Sequence, residues 1–310
     1  MATRKRKRPS RKGQKDSNVQ PFSVREFFAE FPDDDACLKR VMEVRYGLRH
    51  TCRACGVVGS TFHKLENRKA YSCAHCGDHI YPCAGTIFQD SRTPLQTWFY
   101  AIYLFIATRQ GVSGKELQRT LGVTYKTAWR IGQQIRDLMG RVDSFQVLKG
   151  HVEIDEAFFG GYRPRSQGGQ YAPNKSIILG MKERGGRIET AIIPNVKTAT
   201  LRGEVLKHVE KASTVSTDEL SAYNLLKGDG YVHGAVDHSR HEYAWKDHQS
   251  GETFSTNGTE SFWNLFKNSI RSTHIHVSQK HLDRYLGEFS FRSNYRQMRN
   301  AMFDLLVAAL

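Results

Sequence analysis

Two tight cysteine pairs constrain this chain more than any other feature. Cys52-Arg-Ala-Cys55 is followed, after seventeen intervening residues, by Cys73-Ala-His-Cys76, a C-x2-C-x17-C-x2-C spacing. Each knuckle aims two thiolates at one point, two knuckles complete a tetrahedron, and the chain between them must return as a hairpin. The pattern predicts a zinc ribbon in which Cys52, Cys55, Cys73 and Cys76 hold a structural Zn²⁺. Such four-thiolate sites are closed, so the expected role is to hold a small module together. On the loop between the knuckles, Lys64, Arg68 and Lys69 are candidates for phosphate contact. His75 is expected outside the ligand set, and Cys37 and Cys83 read as ordinary buried cysteines.

The chain has 310 residues and a formal charge of +15, with 39% apolar content. That apolar content suffices for a core and excludes wholesale disorder, while the charge points to a polyanionic partner, nucleic acid by default. Arg4, Lys5, Arg6, Lys7, Arg8, Arg11, Lys12 and Lys15 crowd the beginning, so residues 1–18 read as a disordered basic tail, either a phosphate-gripping arm or a solvated extension. No secretory signal is legible. The apolar run from Trp98 to Ala107 falls short of the ~20 residues a bilayer span needs. Paired cysteines without a signal suggest a reduced compartment, hence a cytoplasmic location in a bacterium, or a nuclear one if the host is eukaryotic.

Beyond the tail the texture divides the chain. Residues 19–90 read as a helical lead-in and the ribbon, 91–145 as a helix-turn-helix-like region, and 146–310 as an α/β domain. In the second region Ser113 can cap a helix, Leu117 and Leu121 face inward, and Gly122 turns the chain. Thr124 then caps a second helix. Such a pair can place its second helix in a major groove, with Tyr125, Lys126, Thr127 and Arg130 toward DNA. The alternative is a plain helical hairpin.

From about 150, strand-like runs alternate with helical ones, the signature of α/β architecture. Three acids stand out in it. Asp155 is expected to end a first strand, Asp218 follows a later one, and Glu260 begins an amphipathic helix. Two strands near 176–182 and 187–193 and a helix near 200–211 intervene. This is the order of an RNase H-like domain, a mixed sheet flanked by helices, whose acids converge on two divalent metals. Singly, each acid has a plainer reading. Glu153 and Glu156 flank Asp155, Asp218 can cap a helix, and Asn257 with Glu260 makes a capping-box-like pattern. Lys267 falls two turns after Glu260 on the same stripe. His274, His276, Lys280, His281, Arg284 and Arg292 are further phosphate-binding candidates, and Tyr285, Phe289 and Phe291 read as core.

These motifs together resemble bacterial insertion-sequence transposases of the ISXO-like group, related to eukaryotic Merlin elements. The carriers are the ribbon, Gly85-Thr-Ile-Phe, Ser91-Arg-Thr-Pro-Leu and Trp98-Phe-Tyr-Ala. They continue in Leu121-Gly-Val-Thr-Tyr-Lys-Thr-Ala-Trp-Arg, Glu153-Ile-Asp-Glu with Phe159-Gly-Gly, and Ser216-Thr-Asp-Glu. The last are Thr256-Asn-Gly-Thr-Glu-Ser-Phe-Trp and the stretch through His281-Leu-Asp-Arg-Tyr-Leu-Gly-Glu-Phe. The resemblance implies a DDE-type transposase that cuts element ends and joins them to target DNA, acting as a homo-oligomer on DNA. It implies that Asp155, Asp218 and Glu260 hold two Mg²⁺ or Mn²⁺ ions and that Lys267 is the associated basic residue. Some relatives carry an asparagine in place of the third acid, and Asn257 is the matching candidate. One departure is Ser255 before Thr-Asn, where a histidine is expected. Two other readings stay open: a DNA-binding regulator with an inert α/β domain, and a nuclease that hydrolyses without strand transfer.

Overall fold

A computed structural model describes residues 23–143, 146–160, 175–237, 240, 243–248, 251–298 and 301–310. The basic tail lies outside the described residues. The lead-in forms two helices, α1 (Val24–Glu30) and α2 (Asp34–Arg45), because Pro32 interrupts the helical pattern. Ser23 closes a capping box on α1, and Asp33 accepts from the Ala36 amide at 2.8 Å to start α2. Phe31 packs on Phe99 of α3 (Leu95–Ala107), Phe27 on Tyr100 and Tyr103 of the same helix, and both on Phe303. Phe303 belongs to the last helix, so the C-terminus of the chain completes the N-terminal core.

The ribbon is a four-stranded antiparallel sheet in the order β1 (Arg49–His50), β2 (Ser60–Lys64), β3 (Tyr71–Cys73), β4 (His79–Ile80). Lys64 is half-buried and Lys69 is exposed, and each has an acidic partner. They pair with Asp35 and Asp34, tying the ribbon to α2. Two further helices, α4 (Gly114–Leu121) and α5 (Tyr125–Val142), form the expected pair. Gly122 sits between them at φ +65, the left-handed cap geometry that glycine adopts without strain.

The second core surrounds a five-stranded sheet. Its strands are β5 (His151–Phe159), β6 (Ser176–Glu183), β7 (Ile188–Ile193), β8 (Thr214–Asp218) and β9 (Val232–Val236), in the spatial order β7-β6-β5-β8-β9. β5, β8 and β9 run parallel, while β6 and β7 are antiparallel additions. This is the RNase H-like arrangement. Side chains alternate across β5. Val152 and Ile154 face α6 (Thr198–His208) and the 3₁₀ turn Ser221–Lys227. Ala157, on the same face as Glu153 and Asp155, meets a helical layer on the other side. A short hairpin, β10 (Trp245–Lys246) with β11 (Thr253–Phe254), leads into that layer: α7 (Asn257–Ser269), α8 (Leu282–Asn294) and, back in the first core, α9 (Ala301–Ala308).

A buried ion cluster joins the two cores. Arg136 of α5 donates to Glu288 of α8 at 2.7 Å, Arg292 donates to the other oxygen of the same carboxylate at 3.0 Å, and the Arg136 guanidinium lies over the Tyr285 ring. Arg292, a phosphate candidate by sequence, is therefore occupied inside the protein. Beside this cluster, α5 and α8 cross where Gly140 meets Gly287; a Cβ on Gly287 would lie 2.9 Å from the Gly140 Cα.

Candidate active site

The β5–β8 register positions the two aspartates. Glu153 pairs with Ser216, and Asp155 and Asp218 stand two residues further along their parallel strands. The ladder to β8 stops there, whereas β5 runs on to Phe159 against β6. Asp155 thus lies within a strand rather than at its end, two residues past the last pairing of β5 with β8. Asp218 accepts from the Leu220 amide at 3.1 Å, a local turn that shapes the end of β8 without capping a helix.

Glu260 reaches the same place from α7, which begins at Asn257. The capping-box alternative is not realised: Asn257 is already inside the helix and exposed, and Glu260 accepts from the Thr256 hydroxyl at 3.0 Å. Burial and the charges of Asp218 and Glu260 push Asp155 up to about 7, with Lys267 acting in the opposite direction. The three acids and the lysine therefore share one electrostatic environment. Glu156, on the opposite strand face, is also raised to about 7 by burial and borders the group while accepting from Tyr223.

Sequence reasoning missed what holds α7 in place. Glu153 is buried and accepts from the Gly258 amide at 2.6 Å, from Arg184 at 3.2 Å and from the Ser255 hydroxyl at 3.4 Å. A carboxylate at a helix N-terminus satisfies an otherwise orphaned amide and complements the helix dipole. A Cβ at 258 would sit 2.6 Å from that carboxylate. Gly180, paired with Asp155 across the sheet, performs a similar service: a Cβ there would meet Trp263 of α7 at 2.5 Å. Strand alternation put Glu153 on the right face, but nothing local signals Arg184 or Tyr223 as partners.

In the ribbon the sulfurs of Cys52, Cys55, Cys73 and Cys76 all lie within 4.8 Å of one another, with Cys52 to Cys76 at 3.7 Å and Cys55 to Cys73 at 4.0 Å. A tetrahedron with Zn–S bonds of about 2.3 Å has edges near 3.8 Å, so the sulfur set fits that ion. The Ser60 hydroxyl, 3.0 Å from Cys73, pulls its thiol down to about 6 and favours the thiolate. His75 is exposed and outside the cluster, while Cys37 and Cys83 are buried elsewhere. Among the described residues this is the one group of three or more such side chains drawn so close; the carboxylates are more widely spread.

On the helix pair, Tyr125 and Lys126 are exposed at the start of α5, and Thr127 is half-buried with its amide bonded to Thr124. Arg130 turns inward, its guanidinium over Trp98 and donating to Ser91. Lys280 is exposed, and Arg284 pairs with Asp137 at 2.8 Å. No helix among the described residues is long and apolar enough to cross a membrane.

Sheet order, acid placement and an upstream ribbon define the class of protein: an RNase H-like domain behind a cysteine metal module. Residues 147–294 match the ISXO2-like transposase domain, and residues 32–79 match the transposase zinc-ribbon domain. Over 261 residues the chain is 30% identical to an uncharacterized protein in transposable element ISH50 of Halobacterium salinarum, covering 78% of this chain and 83% of that one. It is 28% identical over 114 residues to an uncharacterized transposase-like protein of Haemophilus influenzae, 37% of this chain and 86% of the other. A fainter likeness, TM-score 0.28 at 10% identity, links 67% of the chain to 75% of a chain in the Mos1 strand transfer complex. The chain belongs to the ISXO2-like transposase family.

Proposed function

We propose that this transposase binds the terminal inverted repeats of its element, cuts DNA there and joins the ends to target DNA, with Asp155, Asp218 and Glu260 as metal ligands. The observation that carries this is the environment of Asp155, flanked by two further acids where β5 and β8 part, with Lys267 nearby. Three carboxylates repel one another, which disposes the group to bind cations. When bound, two Mg²⁺ or Mn²⁺ ions held by these carboxylates would supply Lewis acidity for phosphodiester cleavage. The chain's own contribution is placement: β5 and β8 fix two ligands, Glu153 and Gly180 seat α7 to bring the third, and Lys267 offers a positive charge to phosphate oxygens. Glu260 is a charged oxygen donor in the surroundings of Asp155, the donor type a hard divalent cation takes, and this favours it over the neutral amide of Asn257 for the third position.

The ribbon holds Zn²⁺ through its four cysteines. Tyr125, Lys126 and Thr127 read DNA from the start of α5, Lys280 and Arg284 grip phosphates from beside α8, and Arg130 supports the reading helix from behind. Two element ends must be brought together, so the working form is a homo-oligomer on DNA. The test incubates purified protein with Mg²⁺ or Mn²⁺ and duplexes carrying the element's ends. Cleavage and joining that vanish in Asp155→Asn are expected. Binding without cleavage in either metal indicates a regulator instead, and cleavage without joined product indicates a nuclease.

A further inference from the structure

The segment after α7 carries a feature that stability does not explain. Ile275 is 84% exposed, the most exposed of the large apolar side chains among the described residues. Its backbone lies at φ +65, ψ −54, and the His276 amide closes on the His274 carbonyl at 2.7 Å. This is a γ-turn of the rare positive-φ kind, a strained geometry that a β-branched residue enters at a cost. Glycine or asparagine would turn the chain with less strain. An isoleucine that is neither buried nor relaxed is therefore held outward, and strain of this kind collects at functional sites.

The tip is rigidly mounted. A π-helical turn, Ile270–His274, precedes it, and Ile270 and Val277 on either side are buried in the core under α7 and α8. The His274 ring packs edge-on against Tyr285. The tip also lies in a basic stretch. Residues 261–282 contain Lys267, Arg271, His274, His276, Lys280 and His281 and not one Asp or Glu. That stretch begins on the helix of the acidic site and ends where His281 packs on Trp129 of the proposed reading helix. Along the chain the tip therefore lies between the helix that carries Glu260 and the residue that packs on α5.

We propose that Ile275 is a wedge that inserts into the base stack of bound duplex DNA and unstacks a step close to the cleavage site, as apolar side chains do in proteins that kink DNA. The proposal rests on the DNA-cutting reading above but concerns distortion, which requires no metal and no chemistry.

The test uses the full zinc-loaded chain without added Mg²⁺ or Mn²⁺ and end duplexes with 2-aminopurine placed at successive positions, whose fluorescence rises when its neighbour unstacks. Wild type and Ile275→Leu are expected to give a several-fold rise at one or two adjacent positions. Ile275→Gly is expected to bind the same duplex without that rise, and to melt at a higher temperature than wild type because glycine relieves the turn. An equal rise with Ile275→Gly, or no rise at any position on a duplex that is bound, overturns the wedge. Cleavage scored separately in Mg²⁺ keeps the two readings apart: a rise without cleavage leaves the wedge standing and overturns the catalytic reading alone.

Discussion

At the scale of single residues, the acidic group trades stability for function. Asp155 is held near 7 against an ordinary 3.8, so the native chain binds its proton more tightly than the unfolded chain does. The sign follows: between about pH 4 and pH 7 the metal-free protein loses stability as pH rises. Asp155→Asn is therefore expected to melt higher than wild type at pH 8 in zinc-loaded protein without added Mg²⁺, while Mg²⁺ raises the melting temperature of wild type only; thermal melts in both buffers check this. His274 works the other way. Burial and the nearby Arg136 push it down to about 4 from an ordinary 6.5, so the unfolded chain takes up a proton that the folded chain refuses. The associated stability is intact above about 6.5 and is lost as pH falls toward 4. Urea melts of His274→Gln should gain about 1–2 kcal/mol on wild type between pH 7.5 and pH 5. The acids were visible in the sequence because their strands and helix carry local patterns. The burial of His274 and Arg292 was not, since both look like surface cations until Arg136 of α5, 152 residues from Glu288, closes the cluster.

At the scale of elements, the site depends on how α7 is seated. Glu153→Ala removes the acceptor of the Gly258 amide and the partner of Arg184. It is expected to cost about 1–3 kcal/mol in denaturant melts and to slow cleavage as Glu260 loses its station. Gly180→Ala is expected to slow cleavage as well, because its Cβ meets an indole, not a flexible chain end. The succession of strands along the chain was legible from apolar patterning, and the ribbon hairpin from cysteine spacing. Element ends were less so: β5 outruns Asp155 because β6 continues to pair with it, and the lead-in splits at Pro32. Arg130 faces inward because Trp98 and Ser91, far away in sequence, offer it a better site than solvent.

At the scale of the whole molecule, reader and acids sit on one frame. Arg136, Glu288 and Arg292 lock α5 to α8, and α9 returns to close the N-terminal core. Glu288→Ala leaves two buried guanidinium groups without their carboxylate and is expected to destabilise the chain by roughly 3–5 kcal/mol, read by urea denaturation. The charge of the chain pointed to a polyanionic partner, but nothing in the sequence showed that α5 would be bonded to α8. The central claim is that Asp155, Asp218 and Glu260 form one metal centre. Its most direct test is the Mn²⁺-dependent rate of cleavage of an end duplex by wild type, Asp155→Asn, Asp218→Asn, Glu260→Gln and Asn257→Ala. The account predicts no detectable cleavage by the three acid variants and retained cleavage by Asn257→Ala. Cleavage by Glu260→Gln at the wild-type rate, with Asn257→Ala inactive, would contradict it.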